Sequence, residues 1–456
     1  MKYDEFVKEV RKRTLCDRPD GDLRRVVPTK ELVLLYLRLV TLLSGSLVSF
    51  FFNAFRPVVV TMALVTGLLY LLVPSGVTLY CFAGAMAAYA VSILVLVRPA
   101  PHAVKPGFYF QPTPRNERAI GALRALGYRA TWWLPGDLTT LVPFLCANVL
   151  PVEYERRWMQ TEDGEFVALD YVGPSDGGEV RGVCLALHGL NGGSAEPYLL
   201  DFVHRARERG YAVVVLIARG MMGTPVIRGE FFNGARTTDV RMVLAMLREV
   251  VPRGRGIPLV GVGYSMGATV LANYMAKSGD LTELDAGVAM CGVADANLNS
   301  CPYSRLVWQP LLSTPLKTDI LYPFQKVARG RGVDVPKTLY ESRSIVAFDT
   351  HMTAPYFGYN NLEHYYSDMS FCDANKWKGV RSPLLFVQTL DDPLVSGGSI
   401  EPYLKVADEN ENILFCVLER GGHVGFPHSN TPWRDNFQAQ SEIMLRALEA
   451  FTAAEF

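Results

Sequence analysis

The sequence predicts an α/β fold, with a mostly parallel central sheet covered by helices on both faces and preceded by N-terminal transmembrane helices. Three observations support this prediction. After about residue 155, short apolar runs alternate with stretches of helical spacing. A segment rich in aromatic residues, at about 296–378, interrupts the alternation, as a lid over one edge of the sheet would. Residues 57–97 contain no charged side chain. The predicted organisation is an N-terminal polar segment (1–31), a membrane segment (32–98), a junction (99–155) and a main domain (156–456).

Composition excludes several classes of protein. The 45 Lys and Arg residues balance the 45 Asp and Glu residues, so the chain lacks the net positive charge typical of proteins that bind nucleic acid. With 49% hydrophobic and 20% charged residues, wholesale disorder is also excluded. The eight cysteines form no CxxC pair, which argues against a zinc site or a disulfide framework. They are expected to be small buried hydrophobic residues in a reducing compartment.

The uncharged stretch is about twice the ~20 residues that a helix needs to cross a bilayer. Pro74-Ser75-Gly76 interrupts it near the middle, which predicts two spans, at about 57–73 and 77–97. Basic residues flank the pair on both sides, beginning at Arg56 and Arg98, so both ends and the main domain are expected to face the cytosol. A third span at 32–55, which contains Arg38, stays open and would move residues 1–31 across the membrane. The alternative is that all three segments are core helices of a soluble protein.

The main domain shows the pattern of a parallel sheet with crossover helices. Helical spacing appears at 197–209, 236–250, 266–278 and 434–451. The predicted strands are Val180–Leu187, Tyr211–Ile217, Ile257–Val262, Ala286–Cys291, Pro383–Gln388 and Ile413–Leu418.

Residues 263–267 read GYSMG and match the GxSxG pattern of a nucleophile elbow. The motif follows a predicted strand and precedes a predicted helix, which is the context that the elbow requires. The flanking glycines are needed because the sharp turn leaves no space for a Cβ atom. Ser265 is therefore the candidate nucleophile. A dinucleotide-binding interpretation is weaker, because Met266 occupies the position of the third glycine.

A nucleophilic serine needs a base and an orienting carboxylate, which follow it in the chain in this type of fold. His423 lies in the glycine-rich segment GGHVG, directly after the last predicted strand, and is the candidate base. Asp391 and Asp392 both follow the preceding predicted strand. Asp392 is the preferred acid because of its spacing to Val395, and Asp391 is expected to hydrogen-bond the turn. A metal site at this pair is disfavoured, since no further carboxylate cluster lies nearby in the sequence.

A tetrahedral intermediate would need two backbone N–H donors. The residue after the nucleophile, Met266, provides the first in this arrangement. The second is expected from the loop after an early strand, where residues 188–194 read HGLNGGS, and Leu190 is the candidate. His188 precedes the nucleophile and is expected to shape this loop.

At this point the sequence resembles the alpha/beta-hydrolase-fold family that includes bacterial YheT-like hydrolases, plant embryogenesis-associated hydrolases, yeast medium-chain ester synthases and mammalian membrane-bound abhydrolase-domain lipases. The resemblance implies an alpha/beta-hydrolase fold and cleavage or transfer of acyl groups on medium-chain esters, acylglycerols or phospholipids. The run HGLNGGSxEPY is its most specific element. The matching residues are Asp163-Gly164, Leu169-Asp170-Tyr171, 188–194 with Glu196-Pro197-Tyr198, Arg219-Gly220, Thr238-Asp239, Ser265, Tyr365-Tyr366, Ser370, Asp391-Asp392-Pro393 and 421–426.

These observations together predict a membrane-anchored serine hydrolase that cleaves a carboxylic ester of a lipid-like substrate through an acyl-Ser265 intermediate. The reaction requires no metal or organic cofactor. One alternative is an alcohol O-acyltransferase, in which an alcohol replaces water and the same three side chains act. A non-catalytic membrane scaffold is an alternative of another class. The expected partners are the ester substrate and the membrane.

Overall fold

The computed structural model describes residues 1–40, 56–73, 76–95, 104–299 and 301–453. Its centre is a nine-stranded mixed sheet with the strand order β1-β9-β8-β7-β6-β4-β5-β3-β2. Adjacent strands run parallel from β9 through β8, β7, β6 and β4 to β5. Strands β1, β2 and β3 pair antiparallel with their neighbours. The strands are β1 Gly107–Tyr109, β2 Glu155–Gln160, β3 Phe166–Val172, β4 Gly182–Leu187, β5 Tyr211–Ile217, β6 Leu259–Tyr264, β7 Ala286–Met290, β8 Leu384–Thr389 and β9 Ile413–Leu418.

The six predicted strands correspond to the six parallel strands, with ends that differ by at most two residues. Their sequences are nearly continuous apolar runs because helices cover both faces, and β5 is buried at every position. The three antiparallel strands are additions that the sequence pattern did not predict. Strand β1 has only three residues, and β2 reads ERRWMQ, which contains no apolar run. Part of the predicted junction, residues 107–109, therefore lies in the sheet beside β9.

Two layers of helices enclose the sheet and form its two hydrophobic cores. One face is covered by α5 (Pro114–Leu126), α7 (Pro197–Glu208) and α18 (Gln438–Thr452). The other face is covered by α1 (Tyr3–Arg13), α8 (Thr238–Val250), α9 (Met266–Ser278) and α17 (Val406–Glu409). The helix α6 (Gly136–Cys146) lies near the carboxyl end of the sheet, where Thr139 and Gly136 come close to residues 421–425 and 391. Short 3₁₀ helices lie at Arg253–Arg255, Gly279–Leu281, Gly397–Ser399, Glu401–Tyr403 and Pro432–Arg434.

The segment between β7 and β8 is built mainly from short helices, and we call it the helical insertion. It contributes most of the side chains that face the cavities described below. Its elements are α10 Pro302–Leu306, α11 Trp308–Pro315, a π-helix Leu316–Leu321, α12 Gln325–Gly330, α13 Val335–Glu341, α14 Ile345–Phe348, a second π-helix Asp349–Thr353, α15 Ala354–Tyr356, α16 Leu362–Met369 and a 3₁₀ segment Asp373–Gly379.

The N-terminal polar segment packs against the main domain. Phe6 and Val10 of α1 are buried in the second core. Residues 29–40 form a helix, α2, that lies against the helical insertion. The hydroxyl of Tyr36 donates to Oγ1 of Thr318 at 3.3 Å, and Leu39 is buried.

The helices α3 (Arg56–Leu72) and α4 (Gly76–Val95) pack against each other as a hairpin. They match the spans predicted at 57–73 and 77–97 to within one residue at each described end, and residues 96–97 of the second span lie outside the described part of the chain. Among the described residues, no helix combines the length and apolar character needed to cross a membrane. The prediction of transmembrane helices is therefore not confirmed. Most of the third candidate span, residues 41–55, also lies outside the described residues.

Candidate active site

Ser265 lies in the sharp turn between β6 and α9, where its backbone takes φ 53° and ψ −116°. Residues other than glycine rarely adopt a positive φ, and such strain persists only where the surrounding structure enforces it. Here the Ser265 amide donates to the carbonyl oxygen of Met290 at 2.8 Å. A Cβ atom on Gly263 would lie 2.4 Å from the backbone oxygen of Gly267, and one on Gly267 would lie 2.3 Å from that of Leu187. These contacts explain why the turn requires both glycines.

The structure brings the three predicted side chains together in a continuous chain of hydrogen bonds. Nε2 of His423 lies 2.7 Å from Oγ of Ser265. Nδ1 of the same ring lies 2.8 Å from Oδ2 of Asp392. Asp392 and His423 are both buried. The carboxylate fixes the proton on Nδ1, so that Nε2 presents its lone pair to the serine hydroxyl.

Asp391 and Asp392 hold different parts of the site. Oδ1 of Asp392 accepts from the amides of Leu394 at 2.8 Å and Val395 at 2.9 Å, which directs Oδ2 toward the imidazole. Oδ1 of Asp391 accepts from the amides of Gly421 and Gly422 at 2.9 and 2.8 Å. Burial raises the pKa of Asp391 to about 6. Asp391 therefore supports the loop that carries the histidine. The prediction that Asp391 hydrogen-bonds its own turn is wrong, because the turn amides of Leu394 and Val395 donate to Asp392.

Two threonine side chains also hold this loop, and sequence analysis missed the first of them, Thr140. Oγ1 of Thr140, on α6, accepts a hydrogen bond of 2.8 Å from the backbone amide of His423. Oγ1 of Thr389, at the end of β8, donates to the carbonyl oxygen of Gly422 at 2.8 Å. Thr140 precedes the histidine by 283 residues, and no local motif marks it. Only the tertiary structure connects the two.

Hydrogen bonds to His188 and Tyr198 shape the loop after β4. Nδ1 of His188 lies 2.7 Å from the carbonyl oxygen of Gly189, and Nε2 accepts from the amide of Ala218 at 3.1 Å. Burial lowers the pKa of His188, which keeps the ring neutral in this arrangement. The hydroxyl of Tyr198 accepts from the Gly189 amide at 2.9 Å. His188 therefore has the structural role that its sequence position predicted.

The predicted oxyanion donors, Leu190 and Met266, line the same cavity as Ser265 and His423. Within the described chain, neither backbone amide donates a hydrogen bond to another residue. Unpaired amides beside a nucleophile are suited to stabilise a developing oxyanion. The helical insertion touches this loop, because Nδ2 of Asn191 donates to the carbonyl oxygen of Leu312 at 2.8 Å.

Three potential metal ligands of the described chain, Cys291, Asp392 and His423, lie with their ligand atoms within 4.8 Å of one another. Two of them are already bonded to each other in the chain of hydrogen bonds. Burial raises the pKa of the Cys291 thiol well above its usual range, which favours the protonated form that binds metals poorly. The cluster therefore fits a hydrogen-bonded acid–base pair better than a metal centre.

Two cavities meet beside Ser265. The first, which we call the serine cavity, contains Ser265 and His423 together with polar side chains that include Asn299 and Gln309. The second, which we call the apolar cavity, is lined mainly by aromatic and aliphatic side chains of the helical insertion and of the loop after β5. Both are lined by Leu190, Met266, Ile345 and Asp349. The amides expected to bind an oxyanion therefore stand where the cavities join.

Several of the residues that match the resembled family form a buried ion-pair network and do not line the site itself. The guanidinium of Arg219 is 1% exposed and pairs with Asp163 at 2.6 Å and with Asp239. A second pair joins Arg156 to Asp170, whose carboxylate also accepts from Oγ of Ser194. These contacts join the loop after β4 to β3 and the loop after β5 to α8. The motif residues that form them therefore stabilise the fold around the site.

Comparison with known proteins now identifies the family. A model described as "Alpha/beta hydrolase family" matches residues 184–435, which is more than half of the 456-residue chain. The chain belongs to the alpha/beta hydrolase family. The predicted family and the prediction of a hydrolase-type enzyme are confirmed. The matched range contains Ser265, Asp392 and His423.

Two characterised relatives and one solved structure resemble this hydrolase. It is 28% identical over 364 residues to "Phospholipase ABHD3" of Mus musculus, covering 77% of this chain and 85% of the relative. It is 27% identical over 256 residues to the "Monoacylglycerol lipase" of Saccharomyces cerevisiae, covering 54% and 55%. A crystal structure of a soluble variant of monoglyceride lipase from the same yeast, with a substrate analogue, aligns with a TM-score of 0.43 at 15% identity and covers 68% of this chain and 98% of its own.

Proposed function

We propose that this hydrolase cleaves carboxylic esters of lipids through an acyl-serine intermediate on Ser265. The observation that carries the proposal is the chain of hydrogen bonds of 2.7 and 2.8 Å from Ser265 through His423 to Asp392. A serine hydroxyl is a weak nucleophile until a positioned base removes its proton. An imidazole held by a carboxylate and directed at that hydroxyl performs this task in serine hydrolases.

Acylation begins when Nε2 of His423 accepts the proton of Ser265 and Oγ bonds to the ester carbonyl carbon. The carbonyl oxygen becomes an oxyanion, which the amides of Leu190 and Met266 stabilise by hydrogen bonds. The tetrahedral intermediate collapses as His423 returns the proton to the alcohol oxygen, and the C–O bond to the alcohol breaks. Asp392 offsets the charge of the imidazolium and keeps the ring oriented.

Deacylation repeats these steps with water as the nucleophile. His423 takes a proton from water, the hydroxide oxygen bonds to the acyl carbon, and the bond to Ser265 Oγ breaks as the proton returns to the serine. The products are a free carboxylic acid and the regenerated enzyme. Every step uses side chains and backbone amides of this chain together with water.

Lipid substrates are favoured by the chemistry of the apolar cavity and by the relatives. The cavity offers Phe231, Leu316, Ile320 and Phe348 to an acyl chain. Each methylene group removed from water there contributes about 0.8 kcal/mol. The names of the mouse and yeast relatives, a phospholipase and a monoacylglycerol lipase, refer to enzymes that act on lipid esters. An ester with an apolar acyl chain therefore fits this enzyme better than a small polar ester.

The proposal is tested with the full chain and its Ser265→Ala variant. We expect a fluorophosphonate probe to label the wild type and not the variant. In lipid extracts analysed by mass spectrometry, only the wild type should consume acyl esters and release the matching free acids. An unlabelled wild type, or equal consumption by both proteins, would contradict the proposal. Formation of new esters on addition of ethanol, in place of acid release, would identify an acyltransferase.

We further propose that the α3–α4 hairpin anchors the enzyme in a membrane, with the main domain on the cytosolic side. The proposal is supported by exposed apolar side chains, among them Leu64 at 70%, Leu71 at 77% and Val77 at 73%. Because α1 packs on the main domain, residues 1–13 and that domain lie on the same side. A hairpin that enters and leaves the membrane on one side satisfies this requirement, whereas an additional crossing at 32–55 would not.

Membrane anchoring is tested by alkaline carbonate extraction of cells that express the full chain. We expect the wild type to stay in the membrane pellet and tags at both termini to be cleaved by protease added from the cytosolic side. A variant with Leu64, Leu68 and Leu71 changed to Gln should be released while its Ser265 remains labelled by the fluorophosphonate. Release of the wild type by carbonate, or tags on opposite sides, would refute the proposed anchor.

A further inference from the structure

Asp349 is a buried carboxyl group beside the catalytic centre that the reaction above does not use. It begins the π-helix Asp349–Thr353 and lines both the serine cavity and the apolar cavity. Asp349 as a whole is 8% exposed. The side chain therefore stands near the point where a bound ester would divide into its acyl and alcohol parts.

Two hydroxyl groups hold this carboxyl. Oγ1 of Thr353 donates to Oδ1 at 2.6 Å, and the hydroxyl of Tyr366 on α16 donates to Oδ2 at 3.2 Å. A carboxylate has about four lone-pair positions, so both oxygens keep the capacity to accept another hydrogen bond. In the described part of the chain, no Lys or Arg forms an ion pair with Asp349. This acceptor capacity therefore remains available to a ligand.

The surroundings of Asp349 decide the protonation of its carboxyl. Burial raises the pKa of Asp349 to about 7, although the hydrogen bonds from Thr353 and Tyr366 oppose the rise. The titratable groups that face it are the phenols of Tyr365 and Tyr366 on α16, and His423 lies across the serine cavity. The guanidinium of Arg305, on α10, lowers the pKa of Tyr366 and is not among the groups that shift the pKa of Asp349.

A buried acceptor in the wall of a cavity discriminates between ligands. An apolar group placed against the carboxyl would leave the remaining lone pairs of its oxygens without a hydrogen-bond donor, which is unfavourable. A ligand hydroxyl would supply that donor. Sites that hydrogen-bond a substrate hydroxyl reject analogues that lack it much more strongly than apolar pockets reject a missing methylene group. The serine cavity has further polar side chains, Asn299 and Gln309, whereas the other cavity is mainly apolar.

We propose that Asp349 is a specificity-determining residue that accepts a hydrogen bond from a free hydroxyl group on the alcohol part of the ester. The enzyme would then select partially acylated polyol esters over esters whose alcohol part is fully capped. The acyl chain occupies the apolar cavity and the polyol occupies the serine cavity. This inference rests on the proposed ester hydrolysis and names the class of alcohol that the site prefers.

The test compares kcat/KM for two esters with the same acyl chain: the glycerol monoester, and the same monoester with both free hydroxyls methylated. We expect the wild type to prefer the glycerol ester by about tenfold or more at pH 8. Asp349→Leu should bring the ratio close to one by lowering kcat/KM for the glycerol ester only. Asp319, an exposed carboxylate of the same helical insertion, provides the matched control, and Asp319→Leu should leave the ratio unchanged.

The ratio should also depend on pH. Above a pKa of about 7, Asp349 is a carboxylate and a strong acceptor, whereas below it the protonated carboxyl accepts more weakly. The wild-type ratio should therefore rise between pH 6 and pH 8. Tyr366→Phe removes a hydrogen bond that lowers the pKa, so the rise should move to higher pH. In Asp349→Asn, the ratio should not change with pH.

Each outcome has a definite meaning. If wild type and Ser265→Ala hydrolyse neither ester, the proposed function fails. If the wild type hydrolyses both esters with equal kcat/KM, the function stands and the role of Asp349 is refuted. An equal loss for both esters in Asp349→Asn, with an unchanged thermal midpoint, would also refute it, because a structural role does not distinguish the alcohols. Should Asp349→Leu fail to fold, Tyr366→Phe and Asp349→Asn still decide the question through the pH profile.

Discussion

Replacing His423 by alanine is expected to lower kcat for ester hydrolysis by about 10⁵- to 10⁶-fold, and replacing Ser265 by alanine should lower it by a similar factor. Each change removes one partner of the 2.7 Å hydrogen bond between Nε2 and Oγ. Without the imidazole, the hydroxyl keeps its proton at neutral pH. Without the hydroxyl, the imidazole has no nucleophile to activate. Single-turnover kinetics with a chromogenic acyl ester would measure both losses.

The double variant Ser265→Ala/His423→Ala provides the sharpest control. Because the two side chains act as a unit, the double variant should be about as active as either single variant. Multiplying the two single losses would instead mean that the residues act independently. A loss of less than tenfold in His423→Ala, with the protein still folded by circular dichroism, would show that another group is the base.

The second large effect is expected from Asp392→Asn, which should lower kcat by about 10³- to 10⁴-fold. Two backbone amides, from Leu394 and Val395, hold one oxygen of residue 392, so the amide nitrogen of an asparagine would face the imidazole. An N–H at that position requires Nδ1 to be the acceptor. The ring proton then moves to Nε2, where it faces Ser265, and the ring can no longer accept the serine proton.

Asp391→Asn is the matched control, because it makes the same chemical change at the adjacent residue. Its oxygen can still accept from the amides of Gly421 and Gly422, so we expect a loss of less than about tenfold. Equal losses in the two variants would indicate that charge near the loop matters and not the orientation of the ring. A larger loss in Asp391→Asn would reverse the assignment of the two aspartates. Pre-steady-state acylation rates at pH 8 would separate these cases.

The three side chains of the candidate active site could be predicted from the sequence because each one follows a strand that is recognisable by itself. Ser265 lies in a five-residue motif whose glycines are required by backbone contacts of less than 2.5 Å to any added Cβ. Asp392 and His423 follow β8 and β9, and parallel neighbours end at the same edge of the sheet. Chain order and strand order together brought these residues to one place.

Other parts of the site had no local signal. Thr140 supports the His423 amide from a helix that sequence analysis assigned to a junction. Asp349 lies in an insertion of short helices whose path no periodicity specifies. The antiparallel strand β2 was missed because its half-exposed sequence, ERRWMQ, carries charge where a buried strand would be apolar. Helix α1 contacts the core through few residues, so its docking was also missed.

The sequence by itself determined the parallel strands, the strained elbow at Ser265 and the order of nucleophile, acid and base. These features depend on backbone sterics and on hydrophobic burial within short segments, which local residue types encode. Only the tertiary structure decided that α6 holds the histidine loop, that α1 packs on the main domain, and that Asp349 faces both cavities. Such contacts join residues far apart in the chain, and they form only when the whole sheet has brought the segments together.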